Sequence, residues 1–211
     1  MWPASACASL DWKKGLLTGP PMTIAAVETS GIVRWPYFWC AVTAIAAMIG
    51  AIAIGNLWLL DFMHIFTSLL WSGVDLFMGF VLGPILRRVD VSARREVVRR
   101  LTPRTLFLMP TLAIIAGTTG WYLAVALGYT ALDWPKFGWV AASLVLVAVM
   151  TVQGLGFLMP VNVMVCLELQ KPDPDMTKIT RWMKYYFYAV AMQGTMQIAM
   201  IVIMTRFRVG V

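Results

Sequence analysis

Residues 57–86, LWLLDFMHIFTSLLWSGVDLFMGFVLGPIL, form an apolar run that ends directly on Arg87 and Arg88. A bilayer crossing takes about 20 such residues in a helix, so this run restricts the chain to a helical membrane fold. It also carries the single histidine of the protein, His64, and two acids, Asp61 and Asp75. At about 3.6 residues per turn, Asp61, His64, Ser68, Trp71, Asp75 and Met78 follow one another along one face. Phe62, Ile65, Leu69, Leu76 and Phe80 fall on the opposite face. Lipid offers no hydrogen-bond partner, so the polar face is expected against protein, water or a ligand and the apolar face against lipid.

The remaining hydrophobic runs bring the expected spans to five, at about 37–55, 57–86, 105–128, 138–169 and 185–205. The expected fold is all-α and polytopic, with the second to fifth spans as a four-helix core and the first added outside it. Residues 1–36 then form an N-terminal extension. Its first 21 residues lack the continuous apolar region of a signal peptide and precede a second plausible start at Met22, so they are expected to be dispensable. Ser92–Leu101 reads as a short surface helix stopped at Thr102-Pro103, because proline disfavours helix at the residue before it. Residues 170–184 read as a connection. Gly79-Phe80-Val81-Leu82-Gly83-Pro84 and Gly156-Phe157-Leu158-Met159-Pro160 each close a span ahead of a charged connection, the pattern of a twice-used hairpin.

Only 13% of the 211 residues are charged and 60% are hydrophobic, whereas soluble domains are about 25% charged. The net charge of +7 therefore reads as topology rather than as a nucleic-acid footprint. Of 17 Lys and Arg, seven lie in 87–104, four in 171–184 and three before the first span, leaving Lys136, Arg206 and Arg208 for the other side. By the positive-inside rule the N-terminus is expected in the cytoplasm and the C-terminus outside, in a bacterial-type inner membrane. The expected partners are the lipid bilayer and either other membrane subunits or further copies of the chain; nucleic acid is excluded. Cys7, Cys40 and Cys166 have no metal-ligand or C-x-x-C spacing and are expected as free thiols.

Several residues carry candidate chemistry. His64 can serve as a haem-iron or metal ligand, or simply bond Asp61 three residues earlier. Asp75 is the costliest residue, since an acid near mid-bilayer costs roughly 2.5–3.5 kcal/mol on insertion scales. It reads as a proton relay, a cation site or a neutral acid bonded to Gln153, Gln193 or Gln197. Met192, Met196, Met200 and Met204 form an i, i+4 ladder whose thioethers suit copper and equally suit helix packing. Arg87 and Arg88 read as anchors for lipid or another anion. Asn162 is expected to serve backbone groups freed by Pro160, and Glu168 to meet an arginine. No nucleotide-binding or hydrolase signature occurs.

His64-x6-Trp71-x-Gly73, the 79–84 motif with its basic loop, Met109-Pro110 and the run Gly117 to Trp121 together resemble a superfamily of small membrane proteins. It includes the copper-resistance D (CopD) domain, the HemJ-type protoporphyrinogen oxidase and a urate-oxidase-associated membrane domain. Asn162-Val163 and Glu168 to Pro172 are similar to uncharacterised members. The resemblance spans about residues 57–205. It implies haem b as cofactor, or copper in its place, with His64 as the matching ligand and Lys136 matching a HemJ-type lysine. The HemJ pattern of a further histidine beside the arginines is not met, because Val89-Asp90 follows Arg88. The expected function is a haem-b-associated redox or electron-transfer membrane protein, in which Trp71 walls the pocket and Asp75 is a proton or polar partner. Copper or other cation handling by His64, Asp75 and the methionine ladder is the alternative, and a non-catalytic accessory subunit the third.

Overall fold

The computed structural model describes residues 35–171 and 173–210. The expectations for residues 1–34, Cys7 included, lie outside the described residues. The chain is all-α, with no strand among the described residues. Five helices are long and apolar enough to cross a membrane: α1 (Trp35–Ile54), α2 (Leu57–Arg88), α3 (Val91–Ala126), α4 (Phe137–Leu169) and α5 (Met176–Val209).

Local chemistry sets several boundaries. Gly55 turns the chain at φ 67, a left-handed conformation that costs glycine nothing. Asn56 then caps α2 by accepting the Leu59 N–H at 3.2 Å. Asp175 caps α5, accepting the N–H groups of Thr177 at 3.0 Å and Lys178 at 3.1 Å. Those caps satisfy amides that the helix itself leaves without partners.

Two expected boundaries are overturned. The surface helix at 92–101 and the span at 105–128 are one continuous helix, α3, with Pro103 and Pro110 inside it. Local proline preference is overridden because the helix is held along its length by Val98, Thr102, Thr105, Leu112 and Ile115, all buried against neighbours. The fifth span starts not near 185 but at Met176, since the Asp175 cap lets the helix begin at once. Residues 176–184 are therefore helix rather than connection.

The two similar motifs share a structural outcome. Phe77–Leu82 in α2 and Gly154–Leu158 in α4 are π-helical turns. The Gly83 N–H bonds the Met78 carbonyl and the Met159 N–H bonds the Gly154 carbonyl, five residues back in each case. Pro84 and Pro160 follow one residue later. A proline ring crowds the carbonyl four residues earlier, here those of Phe80 and Gly156, and the wider π winding gives both room.

Four helices build the main core. Met78 and Leu86 of α2, Val98 of α3, Val165 of α4 and Phe187 of α5 meet in one cluster at the arginine-rich end. A second cluster, nearer mid-span, joins Trp71, Leu112, Ala116 and Met150. Helix α1 joins a third, small cluster with Leu60 and Leu123 through Ala51 and the partly buried Ile52, which makes it the outer addition to a four-helix core. Large apolar side chains such as Phe62, Ile65, Leu69, Phe80, Val145 and Val202 face outward. That exterior suits a lipid bilayer. Leu76 departs from the expected lipid face: its Cδ2 lies against Gly194 of α5.

Candidate functional site

Helices α2 and α5 approach closely where Gly79, inside the π turn, meets Ala191. A methyl group on Gly79 would fall 2.6 Å from the Ala191 Cα and 2.7 Å from its N, well inside van der Waals contact. This crossing places Asp75, one turn above Gly79, within reach of the next inward positions of α5. Gln193 donates its Nε2–H to Asp75 Oδ2 at 3.0 Å and Gln197 does so at 2.8 Å. The Trp71 indole lies beside the same carboxyl. Asp75 is 1% exposed, and its layer separates the cluster containing Met78 from that containing Trp71.

The polar layer is incompletely paired. The Oε1 atoms of Gln193 and Gln197 are buried without a hydrogen-bond partner among the described residues, as is that of Gln153. Gln153 stands one residue before the second π turn and donates to the Ala189 carbonyl at 2.6 Å. Of the three glutamines expected for Asp75, two reach it and the third binds the α5 backbone one turn away. Buried amide oxygens are ordinarily satisfied by protein or water, so three in one region form an acceptor-rich layer beside a carboxylate.

His64 lies elsewhere. Its Nδ1 pairs with the Ala116 carbonyl at 2.9 Å, with Thr119 Oγ1 at 3.5 Å. A carbonyl can only accept, so Nδ1 holds a proton, and in the neutral ring Nε2 keeps its lone pair. The ring packs against Gly120, where a Cβ would sit 2.7 Å from Cε1. The expected bond to Asp61 is replaced by this contact with α3. Asp61 itself is exposed beside Trp58, Phe62 and Ile65, so it is not a bundle partner. At 1.5 Å per residue, His64 stands about 16 Å along α2 from Asp75. The two do not share a site.

Other expected residues scatter. Met192 is 56% exposed because the buried face of α5 carries Gln193 and Gln197 instead. Met196 packs beside the Trp71 cluster, while Met200 and Met204 are only half-buried. No group of three or more His, Cys, Asp or Glu suited to a metal occurs among the described residues. Lys136 is exposed just before α4. Arg87 donates to the Tyr188 hydroxyl at 3.0 Å, and Arg88 is exposed.

Asn162 binds the Tyr186 hydroxyl at 3.3 Å rather than backbone freed by Pro160, since the π turn already accommodates that proline. Glu168 pairs with Lys171 and accepts the Asp175 N–H at 3.3 Å. It does not meet an arginine, because the chain folds back locally. Arg94, which no sequence pattern singled out, donates to the carbonyls of Leu86 at 2.7 Å, Arg87 at 3.3 Å and Val89 at 3.2 Å. It caps the end of α2 from the first turn of α3. Cys40 and Cys166 are free thiols.

Family models, curated proteins and solved structures give no match to this chain.

Proposed function

We propose that this protein binds and passes a cation within the membrane, with Asp75 as the charged group and Gln193 and Gln197 as its gate. The observation that carries this reading is the buried carboxylate held by two amide donors whose own oxygens lack partners. A carboxamide that rotates by half a turn exchanges N–H for oxygen. Ionised Asp75 is held by the two N–H groups. A proton or hard monovalent cation on Asp75 is instead served by the two oxygens, so the same side chains accommodate both states. All-oxygen donors suit a hard cation better than copper. The paired π turns beside Asp75 and Gln153 add support, because such turns recur at functional sites. The charge asymmetry supports a cytoplasmic location for the arginine-rich end in an inner membrane.

The test is flux into proteoliposomes carrying a pH-sensitive dye, under proton and sodium gradients, with Asp75→Asn beside the unaltered chain. The expected result is a flux that Asp75→Asn abolishes. Equal flux from both, or none from either, refutes the reading.

A second reading keeps the haem-b expectation and its CopD/HemJ-type resemblance. The bond from Nδ1 to the Ala116 carbonyl supports it, because axial imidazoles commonly donate one N–H and ligate through the other nitrogen. Gly120 closes one side of the ring, so iron would be held by His64 Nε2 on another side, where haem supplies electron-transfer chemistry. A Soret band present in the unaltered protein and lost in His64→Ala would uphold this reading; its absence after expression with haem would end it.

A further inference from the structure

The arginine-rich end contains a second feature, unrelated to Asp75. A cleft of about 680 Å³ opens between the start of α3 and the start of α5. Thr177, Thr180, Arg181 and Lys184 line it from α5. Their spacing of three, four and seven residues puts them on one stripe of the helix. Arg94 faces them from α3, its guanidinium already fixed by the carbonyls at the end of α2 and by Thr180 Oγ1 at 3.5 Å. Val91 and Met176 supply apolar wall, and Tyr185 adds an aromatic rim.

The cleft's cations take no part in the ion pairs formed among the described residues. Glu96 pairs with Arg99 and Arg100, Glu168 with Lys171, and Asp175 with Lys178. Arg181 and Lys184 form no ion pair among the described residues, and both are exposed. Two free cations, two hydroxyls and a preset guanidinium match a phosphate group, which takes charge-assisted bonds from several directions. The apolar wall lies at the edge of the span, where a phospholipid places its glycerol and upper acyl chain.

We propose that this cleft is a binding site for the head group of an anionic phospholipid. Its phosphate is held by Arg181 and Lys184, with hydroxyl contacts from Thr177 and Thr180. Occupancy would tie α5 to the α2–α3 junction through Arg94. Basic pockets between spans are suited to such head groups.

The experiment follows thermal unfolding of the detergent-solubilised full chain during titration with dioctanoyl phosphatidic acid, dioctanoyl phosphatidylcholine or inorganic phosphate. The expected result is saturable stabilisation by phosphatidic acid alone. Its apparent affinity should fall on the order of tenfold or more in Arg181→Ala/Lys184→Ala. Arg206→Ala/Arg208→Ala removes the same charge at the opposite end and should bind as the unaltered chain does. Equal losses in the two double variants would reduce the effect to net charge and overturn the site. Equal stabilisation by phosphatidylcholine, or by inorganic phosphate at the same concentration, would overturn the assignment to an anionic lipid.

Discussion

Replacing Gly79 by alanine tests the crossing on which the Asp75 layer depends. The new methyl carbon would lie 2.6 Å from Ala191 Cα, whereas carbon atoms pack at about 3.5–4.0 Å. Backbone cannot swing aside as a side chain can, so α2 and α5 must separate by about 1 Å. Overpacking of this kind costs about 1–3 kcal/mol. The exchange of glycine for alanine in a helix returns about 1 kcal/mol, leaving a net loss of about 0–2 kcal/mol. The same separation stretches the 3.0 and 2.8 Å bonds from Gln193 and Gln197 to Asp75 beyond hydrogen-bond range. Gly73, six residues earlier on the same helix, is the control, since nothing lies within 4 Å of its added methyl. Reversible unfolding in mixed micelles should show Gly73→Ala unchanged or more stable and Gly79→Ala clearly less so, with proteoliposome flux lost only in the latter. Two variants of equal stability and flux would refute the close crossing.

Gly120→Ala should push the His64 ring off Ala116, because the added carbon falls 2.7 Å from Cε1; nitrogen NMR of labelled histidine would then lose the Nδ1-protonated signature, and an unchanged spectrum contradicts the packing. Arg94→Ala frees three carbonyls at the α2–α3 junction and should cost about 1–3 kcal/mol in unfolding experiments, with Arg94→Lys rescuing little because an ammonium lacks the planar fork. Asn56→Ala removes the α2 cap and should cost about 0.5–2 kcal/mol, read as faster hydrogen exchange at Leu59. The Lys178 backbone N–H holds the Asp175 carboxyl below the usual carboxylate range. Its capping contribution is therefore present above the unfolded value of about 3.9 and is lost as pH falls through the lower folded value. Amide protection at Thr177 and Lys178, corrected for intrinsic rates, should persist at neutral pH and disappear only in strong acid.

Span-scale features were legible in the sequence because bilayer crossing imposes a length and an apolar composition that few other structures share. The burial of Asp75 was legible too, since an acid within an apolar run must turn from lipid. Its partners were narrowed to three glutamines, yet spacing could not choose among them: the choice depends on where α2 crosses α5, which Gly79 and Ala191 decide. The same limit hid Arg94, whose three acceptors lie in a turn formed only when α2 and α3 meet. Pro103 misled because its preference is local, while α3 is held by neighbours along its whole length. Asp61 misled for a different reason. It stands near the end of α2, where a helix face need not be covered by the bundle. The Gly-Phe repeat was visible as letters; that it winds into π turns follows from how each proline is fitted.

Those π turns separate two properties of a spanning helix that are usually tied together, its length and its angular phase. A π turn takes in one extra residue, which shifts the sequence register of everything beyond it by about 100° relative to an unbroken α-helix at little change in height. Helix α2 can thus aim Asp75 at α5 in its middle and still aim Leu86 into the core near its end. A descendant chain that lost one residue between 77 and 82 would close the wide turn into an ordinary α turn, so its two halves would keep their neighbours while Pro84 lost the room the wider winding provides.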